Sequence, residues 1–190
     1  MSESFVEIID VINLGTFISN YRWRISFPII GKALTDQGAD VFLKNLNMKA
    51  ESVTLPKVTT PAVEVVIRGH KVKQAGIADY GNTLTITSFE NKDMEVFRLI
   101  DVFRDAIWSY KTGNHGVQQD KSDYTCTMVI ERLDNTNTEV LQKYVVYNCW
   151  MEDNDVGGDL DASTADPTKP TITFSFDFFQ AEHGGIDLTQ

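Results

Sequence analysis

An acidic segment near the C-terminus, DNDVGGDLD at residues 153–161, carries the side chains best suited to chemistry. Carboxylate oxygens are the hard ligands that calcium prefers. The spacing does not fit an EF-hand loop, because the twelfth position counted from Asp153 is Thr164, where a bidentate glutamate is needed. We therefore interpret the segment as a solvated acidic loop. A calcium site is the open alternative, with the ligands Asp153, Asp155, Asp159 and Asp161.

The other residues capable of acid–base, metal or nucleophilic chemistry are dispersed. His70, His115 and His183 lie far apart, and each is next to a glycine. The chain contains no HExxH or GxSxG motif and no P-loop. Cys126 and Cys149 fall in predicted strands, where buried thiols are the simplest interpretation, although the two could also pair. We predict no catalytic residue, no metal ligand and no cofactor, which favours a structural or binding protein over an enzyme.

Charge is distributed unevenly along the 190 residues. Residues 1–150 carry 16 Lys+Arg and 18 Asp+Glu, a net charge of −2, whereas residues 151–190 carry one lysine and nine acidic residues, a net charge of −8. Proteins that bind nucleic acid usually present a basic surface to the phosphates, so we expect no tight binding to DNA. No apolar run reaches about 18 residues, so we expect no membrane anchor. The acidic N-terminus lacks the basic start of a secretory signal.

Alternating polar and apolar residues predict about seven or eight strands. Pro28 either ends the first strand or places it at the edge of a sheet. Two pairs of strands are predicted to form hairpins: Ala62–Arg68 with Lys71–Ala75, and Tyr124–Arg132 with Val140–Trp150. The clearest single strands are YRWRISF at Tyr21–Phe27, TLTITSF at Thr83–Phe89 and TITFSFDFF at Thr171–Phe179.

One amphipathic helix is predicted from Lys92 to Lys111, with Asn91 as its N-cap and Gly113 as its stop. The stretch 31–47 is interpreted as a loop with a short helical turn near 40–46. Apolar residues follow one face of the predicted helix at helical spacing: Val96, Leu99, Ile100, Phe103 and Ile107.

These elements predict a mainly β, α+β fold, an antiparallel β-sandwich or barrel with one flanking amphipathic helix. We expect a single domain over residues 1–190, with an N-terminal arm at 1–20, an acidic loop at 151–170 and a C-terminal tail at 181–190. The last strand places Ile172, Phe174, Phe176 and Phe178 on one face. These side chains are interpreted as core, while the backbone edge of the strand is where a partner is needed.

The order of motifs is informative beyond the single elements. YRWRISF is followed by SVTLPKV, in which Pro56 interrupts a strand, and then by VEVVIRGHKVKQAG. TLTITSFENKD leads directly into the helix, and a hairpin ending in VVYNCWM precedes the final TFSFDFF. This order resembles the tail tube proteins of contractile-tailed bacteriophages over about residues 20–180 of the chain. The sequence departs from the pattern at Met151, where relatives often have proline after the aromatic residue Trp150.

The resemblance implies a hexameric, ring-forming tail-tube fold and a structural role in the virion. Rings would stack into the inner tube of a contractile tail, which holds the tape measure protein and later passes DNA without binding it specifically. The implied partners are further copies of the chain, the tail sheath protein, the tape measure protein, the baseplate initiator and the tail terminator. Assembly is expected in the host cytoplasm.

Three points stay open from the sequence. The chain could instead be a baseplate tube initiator or the tube of a related contractile injection system, and a calcium-dependent β-sandwich binding module is a further alternative. Acidic loop residues, or Asp177 and its neighbours, would repel DNA if they faced the lumen. The competing interpretation of these residues is a solubilising outer loop. The hairpin at Val63–Ala75 could reach across a subunit boundary, and the N-terminal arm could do so between rings.

Overall fold

The computed structural model describes residues 19–108, 120–158, 163 and 165–183, and nine strands and four helices lie within these ranges. Except for Ser19 and Asn20, the predicted N-terminal arm lies outside the described residues, as do His115 and the predicted helix stop Gly113. The strands are β1 (Trp23–Ile30), β2 (Ala50–Val53), β3 (Ala62–Ile67), β4 (His70–Ala75), β5 (Thr83–Ser88), β6 (Cys126–Leu133), β7 (Val140–Asp155), β8 (Thr171–Ser175) and β9 (Phe178–His183). The helices are α1 (Lys32–Thr35), α2 (Ala39–Lys49), α3 (Glu95–Ile107) and α4 (Lys121–Tyr124).

The 16-residue strand β7 belongs to two sheets. Its first part lies between β6 and β9, and its second part pairs with β8, with all pairs antiparallel. The change of partner occurs around Asn148, whose positive φ of 55° interrupts the regular ladder. All seven strands are connected through β7, and we divide them there into sheet 1, with the order β1-β6-β7-β9, and sheet 2, with the order β7-β8-β5-β2. The predicted antiparallel, mainly β architecture is confirmed.

The core fills the space between the two sheets and the helices. Ile130 and Val146 contribute from sheet 1, and Ile172 from sheet 2. Phe103 of α3 and Phe174 of β8 are both fully buried, and their rings meet edge to face with centroids 5.5 Å apart. Edge-to-face packing adds to the stabilisation that burial of two large rings already provides.

The helices differ from the prediction in number and in bounds. The stretch interpreted as a loop contains the 11-residue helix α2, which packs against α3 and buries Ala39, Leu43 and Leu46. The predicted helix is shorter than expected, since α3 begins at Glu95 and ends at Ile107. Four of its five predicted apolar positions, Val96, Leu99, Ile100 and Phe103, are buried in the core, whereas Ile107 is only partly buried.

Asn91 is not the N-cap of α3. Its Oδ1 accepts the Asp93 N–H at 3.2 Å, in a turn that precedes the helix. The carboxylate of Glu90 instead accepts the Phe97 N–H at 2.9 Å, which satisfies one of the backbone donors that a helix start leaves open.

The final aromatic segment forms two strands and not one. The Phe176 N–H still donates to the Asn82 carbonyl at 2.9 Å, in register with the pairing to β5, whereas the Asp177 N–H donates to the Tyr147 carbonyl of β7 at 3.2 Å. Phe174 and Phe176 are buried as predicted, but Phe178 is 44% exposed and stacks on Tyr147 with ring centroids 4.6 Å apart. The predicted single apolar face therefore ends where β9 begins to pair with β7.

Two predicted segment boundaries shift as well. β7 continues to Asp155, so the acidic loop predicted from residue 151 begins five residues later. β9 continues to His183, so the C-terminal tail predicted from residue 181 is strand up to that residue.

Truncation of Phe174 to alanine should lower the free energy of unfolding by about 3–5 kcal/mol, because it empties a fully buried ring site. Truncation of the half-exposed Phe178 should cost only about 1 kcal/mol, the value of its stacking on Tyr147. Urea unfolding of both variants measures the difference. Equal losses would show that the core does not centre on the Phe103–Phe174 pair.

Candidate assembly surface

The residues with chemical potential do not converge in the described part of the chain. There, no group of three or more His, Cys, Asp or Glu side chains is placed to hold a metal ion. His70 begins β4 and His183 ends β9. Cys126 and Cys149 are buried, unbridged partners in the β6–β7 ladder, as the simplest interpretation predicted. A hydrogen bond with Cys149, together with burial, raises the pKa of the Cys126 thiol, which disfavours the nucleophilic thiolate.

The acidic segment is only partly described. Asp155 accepts the N–H groups of Gly157 and Gly158 through Oδ1, each at 3.0 Å. Asp153 accepts the N–H of the next residue at 2.9 Å. Asp159 and Asp161 lie outside the described residues, so the calcium site stays a hypothesis.

Sheet 1 ends in two different strands, β1 on one side and β9 on the other. In the described residues, neither has a second partner strand, so each presents backbone donors and acceptors along its outer edge. Strand directions alternate across the sheet, and β1 and β9 are therefore antiparallel to each other. If two copies of the sheet were placed side by side, β9 of one copy would meet β1 of the next in antiparallel orientation.

The outer edge of β1 is bordered by helix α2. The Ile25 N–H points away from β6 and donates to Asn47 Oδ1 at 2.6 Å. A groove of about 690 Å³ lies between strand and helix, and Ile25, Phe27, Leu43 and Lys44 are among its lining residues. A strand edge beside a helix is a geometry that accepts an additional strand. Asn47 covers one edge donor of the single chain, which limits uncontrolled pairing.

The hairpin β3–β4 stands apart from both sheets and is exposed along its whole length. Its two-residue turn is Arg68-Gly69, with φ of 50° and 81°, as a tight hairpin turn requires. Cross-strand register places four apolar side chains on one face, which are 39–57% exposed: Val63, Val65, Ile67 and Val72. The opposite face carries the ion pair between Glu64 and Lys71, at 2.9 Å.

Asp177 connects the turn between β8 and β9 to the rest of the fold. Its carboxylate accepts from Lys121 Nζ of α4 at 2.5 Å and from Asn148 Nδ2 of β7 at 2.7 Å. These hydrogen bonds, from Lys121 first and then from Asn148, lower the pKa of Asp177. The carboxylate thus holds the point at which β7 changes partners, which fixes the position of β9 and the free edge of sheet 1.

The family model for the phage tail tube protein matches residues 16–182. The chain belongs to the phage tail tube protein family. This tail tube protein therefore falls among structural components of tails, and the suspected resemblance is confirmed over most of its length. No curated protein sequence matches it. No helix in the described ranges is long and apolar enough to cross a lipid bilayer.

Solved structures of contractile injection systems have a similar fold. A chain of the sheath–tube complex of an extracellular contractile injection system, in its extended state, has a TM-score of 0.58 and 16% identity, and the match covers 91% of this chain and 96% of that one. The tube-terminating cap of the anti-feeding prophage has a TM-score of 0.58 and 14% identity, over 90% and 94% of the two chains. A chain of the anti-feeding prophage baseplate has a TM-score of 0.55 and 11% identity, and the match covers 91% of this chain and 100% of that one. At these identities the likeness concerns the fold.

Asp177→Asn should destabilise the protein at neutral pH by up to about 1 kcal/mol, since the pair with Lys121 is partly exposed to solvent. A lowered pKa means that the contribution is present above the ordinary aspartate pKa of about 3.9 and is lost as the pH falls through the lowered value. Urea unfolding at neutral and acidic pH measures this difference. The exposed Asp36→Asn variant is the matched control, and a difference for Asp177→Asn that persisted at low pH would contradict the assignment.

Proposed function

We propose that this tail tube protein is a single tail-tube domain over residues 1–190 that assembles into hexameric rings, and that these rings stack into the inner tube of a contractile tail. The observation that carries the proposal is the pair of unlike free edges on sheet 1, β1 and β9. Two different complementary edges make a head-to-tail contact, which closes into a ring when the rotation between copies permits. Closure removes every free edge of that sheet.

The inner wall of the proposed tube is sheet 1. In the described part of the chain its other face is covered by sheet 2 and the helices, so the face turned away from the core is the one that would line a channel. Upon ring formation, the Ile25 N–H exchanges Asn47 for a backbone carbonyl of the neighbouring β9. One hydrogen bond replaces another, so the exchange costs little compared with the gain of several backbone hydrogen bonds along the joint.

The hairpin β3–β4 supports contacts beyond the joint between β1 and β9. Its apolar face is exposed in the single chain, and contiguous exposed apolar side chains of this kind commonly mark a contact with another protein. We propose that it packs across a subunit boundary of the tube. The N-terminal arm is proposed to act between rings.

Sheath, terminator and baseplate are the proposed protein partners. The solved structures of similar fold come from a sheath–tube complex, a tube-terminating cap and a baseplate, which supports these partners by analogy. The tape measure protein, ejection of DNA through the lumen and assembly in the host cytoplasm rest on the family alone. Asp177 is partly neutralised by Lys121, so the proposed negative lumen depends on other acidic residues as well. A positive potential in the lumen of an assembled tube would contradict it.

Negative-stain electron microscopy across a concentration series, with size-exclusion chromatography of the same sample, tests the proposal. We expect rings or hollow stacked tubes. A protein that remains monomeric at every concentration and on added baseplate would contradict the proposed tube. A protein that forms rings but no long tubes would favour a tube initiator, the alternative within the same fold. A calcium-dependent rise in melting temperature would favour the binding module.

Val65→Asp should abolish tube formation, because it places a charge on the apolar face of the β3–β4 hairpin. The side chain is 39% exposed, so the free energy of unfolding of the single chain should change by less than about 1 kcal/mol. Val66→Asp, on the opposite face of the same strand, is the matched control and should still assemble. Electron microscopy counts the tubes, and urea unfolding checks the stability. Normal tubes from Val65→Asp would exclude this face from the subunit contacts.

A further inference from the structure

Four charged residues of alternating sign lie side by side across the four strands of sheet 1. They face away from the core, on the side opposite to Ile25, Ile130 and Val146. In the order β1, β6, β7 and β9, they are Arg24, Glu131, Lys143 and Glu182, and we call them the charge row.

Each member of the charge row lies directly opposite the next. Arg24 Nε forms an ion pair with Glu131 Oε2, and Lys143 Nζ forms one with Glu182 Oε2 at 3.1 Å. Glu131 and Lys143 are register partners in the β6–β7 ladder. Opposite charges at directly opposed positions stabilise a particular strand pairing, and like charges there disfavour it. The charge row therefore favours one arrangement of the four strands.

The two ends of the charge row are the more exposed members. The side chains of Arg24 and Glu182 are 53% and 59% exposed, against 14% for Glu131 and 35% for Lys143. Arg24 engages Glu131 through Nε, while its guanidinium group carries further donors. Glu182 engages Lys143 through one carboxylate oxygen, and a carboxylate accepts several hydrogen bonds. Both ends have the capacity for a second partner of opposite charge.

We infer that Glu182 of one copy pairs with Arg24 of the next, so that the charge row continues without interruption around the ring. This inference rests on the proposed function, and it adds the identity of the residues that select the partner edge and its register. Within one copy the charges alternate from the positive Arg24 to the negative Glu182, and the positive Arg24 of the next copy continues the alternation. Two β1 edges or two β9 edges brought together would instead oppose like charges.

The pairing defines a single register for the joint between copies. With Glu182 opposite Arg24, Ala181 lies opposite Ile25 and Phe179 opposite Phe27, so apolar side chains also meet on the core face. A slip by two residues in one direction would place Glu182 opposite the uncharged Ser26, and in the other direction opposite Arg22, which precedes β1. A slip by one would exchange the two faces of the sheet. Exposed ion pairs add little to the affinity between two copies. The charge row therefore acts mainly on which strand edge pairs with β1 and in which register.

Disulfide trapping tests the pairing in the full chain. In an Arg24→Cys/Glu182→Cys variant, the two cysteines of one chain are three strand spacings apart, about 14 Å, whereas a disulfide needs Cα atoms within about 7 Å. Any bond between them therefore joins two copies. We expect diamide oxidation to yield a ladder of covalent oligomers on a non-reducing gel. Each single variant should stop at dimers, and the register control Ser26→Cys/Glu182→Cys should give at least tenfold less product.

Electron microscopy of the wild-type protein, carried out in parallel, distinguishes a failure of the Arg24–Glu182 pairing from a failure of the proposed tube. Wild-type rings or tubes without a ladder from the Arg24→Cys/Glu182→Cys variant would overturn the pairing and leave the proposed tube intact. A ladder from the Ser26→Cys/Glu182→Cys control alone would also overturn the pairing and leave the proposed tube intact. The lack of both assemblies and ladders would overturn the pairing and the tube together.

A variant with the whole charge row inverted provides an independent test. Arg24→Glu, Glu131→Arg, Lys143→Glu and Glu182→Lys together keep every opposed pair within the chain. The inverted protein should assemble alone but be excluded from wild-type tubes, because the mixed joint opposes like charges. Differently labelled proteins, mixed before assembly, measure the exclusion. Free co-assembly of the two would overturn the inference.

Discussion

Backbone donors and acceptors at the two edges of sheet 1 are the constraint on which the architecture depends. A strand edge without a partner invites uncontrolled pairing, and native proteins cover it, interrupt it or use it. Here, Asn47 covers the Ile25 N–H on β1, while the adjacent groove leaves room for a strand. β9 is short and lies at the end of the described chain. Both edges can therefore accept a further strand, in agreement with a family whose members build tubes.

The remaining parts of the fold keep these edges in position. β7 connects the two sheets, and the left-handed residue Asn148 is where it changes partners. Asp177 ties that point to α4 through Lys121. The buried contact between Phe103 and Phe174 holds α3 against sheet 2. Within the described residues, sheet 2, the helices and the core cover one face of sheet 1, and its opposite face and its two edges are open to contacts with other copies.

Local pattern predicted much of the fold. Alternation identified β1, β5 and β8, and the stripe from Val96 to Ile107 identified α3, because these elements bury one continuous face. α2 was predicted only as a short helical turn near 40–46, because glycine precedes it, asparagines interrupt it and only three of its residues are buried. The break between β8 and β9 was missed because the alternation of phenylalanines continues through it. Only the partner strand changes there, and strand pairing is a tertiary property that alternation does not report.

Less of the candidate assembly surface could be predicted from the sequence. The hairpin β3–β4 was identified from the two extended segments AVEVVIR and KVKQA that flank Gly69-His70. The charge row was not, since its four residues are spread over the chain from Arg24 to Glu182 and become neighbours only through strand register. The same holds for Asn47, whose contact with Ile25 depends on how α2 packs beside β1. The family, in contrast, followed from the order of elements, which survives when single residues change.

A cryo-electron microscopy reconstruction of the assembled tube shows how neighbouring copies are joined. We expect a continuous antiparallel inner barrel in which β9 of each copy is hydrogen-bonded to β1 of its neighbour, with the Ile25 N–H released from Asn47. A tube in which β1 remains covered by its own chain, or in which β9 has no strand from the neighbouring copy beside it, would show that the two edges do not form the joint.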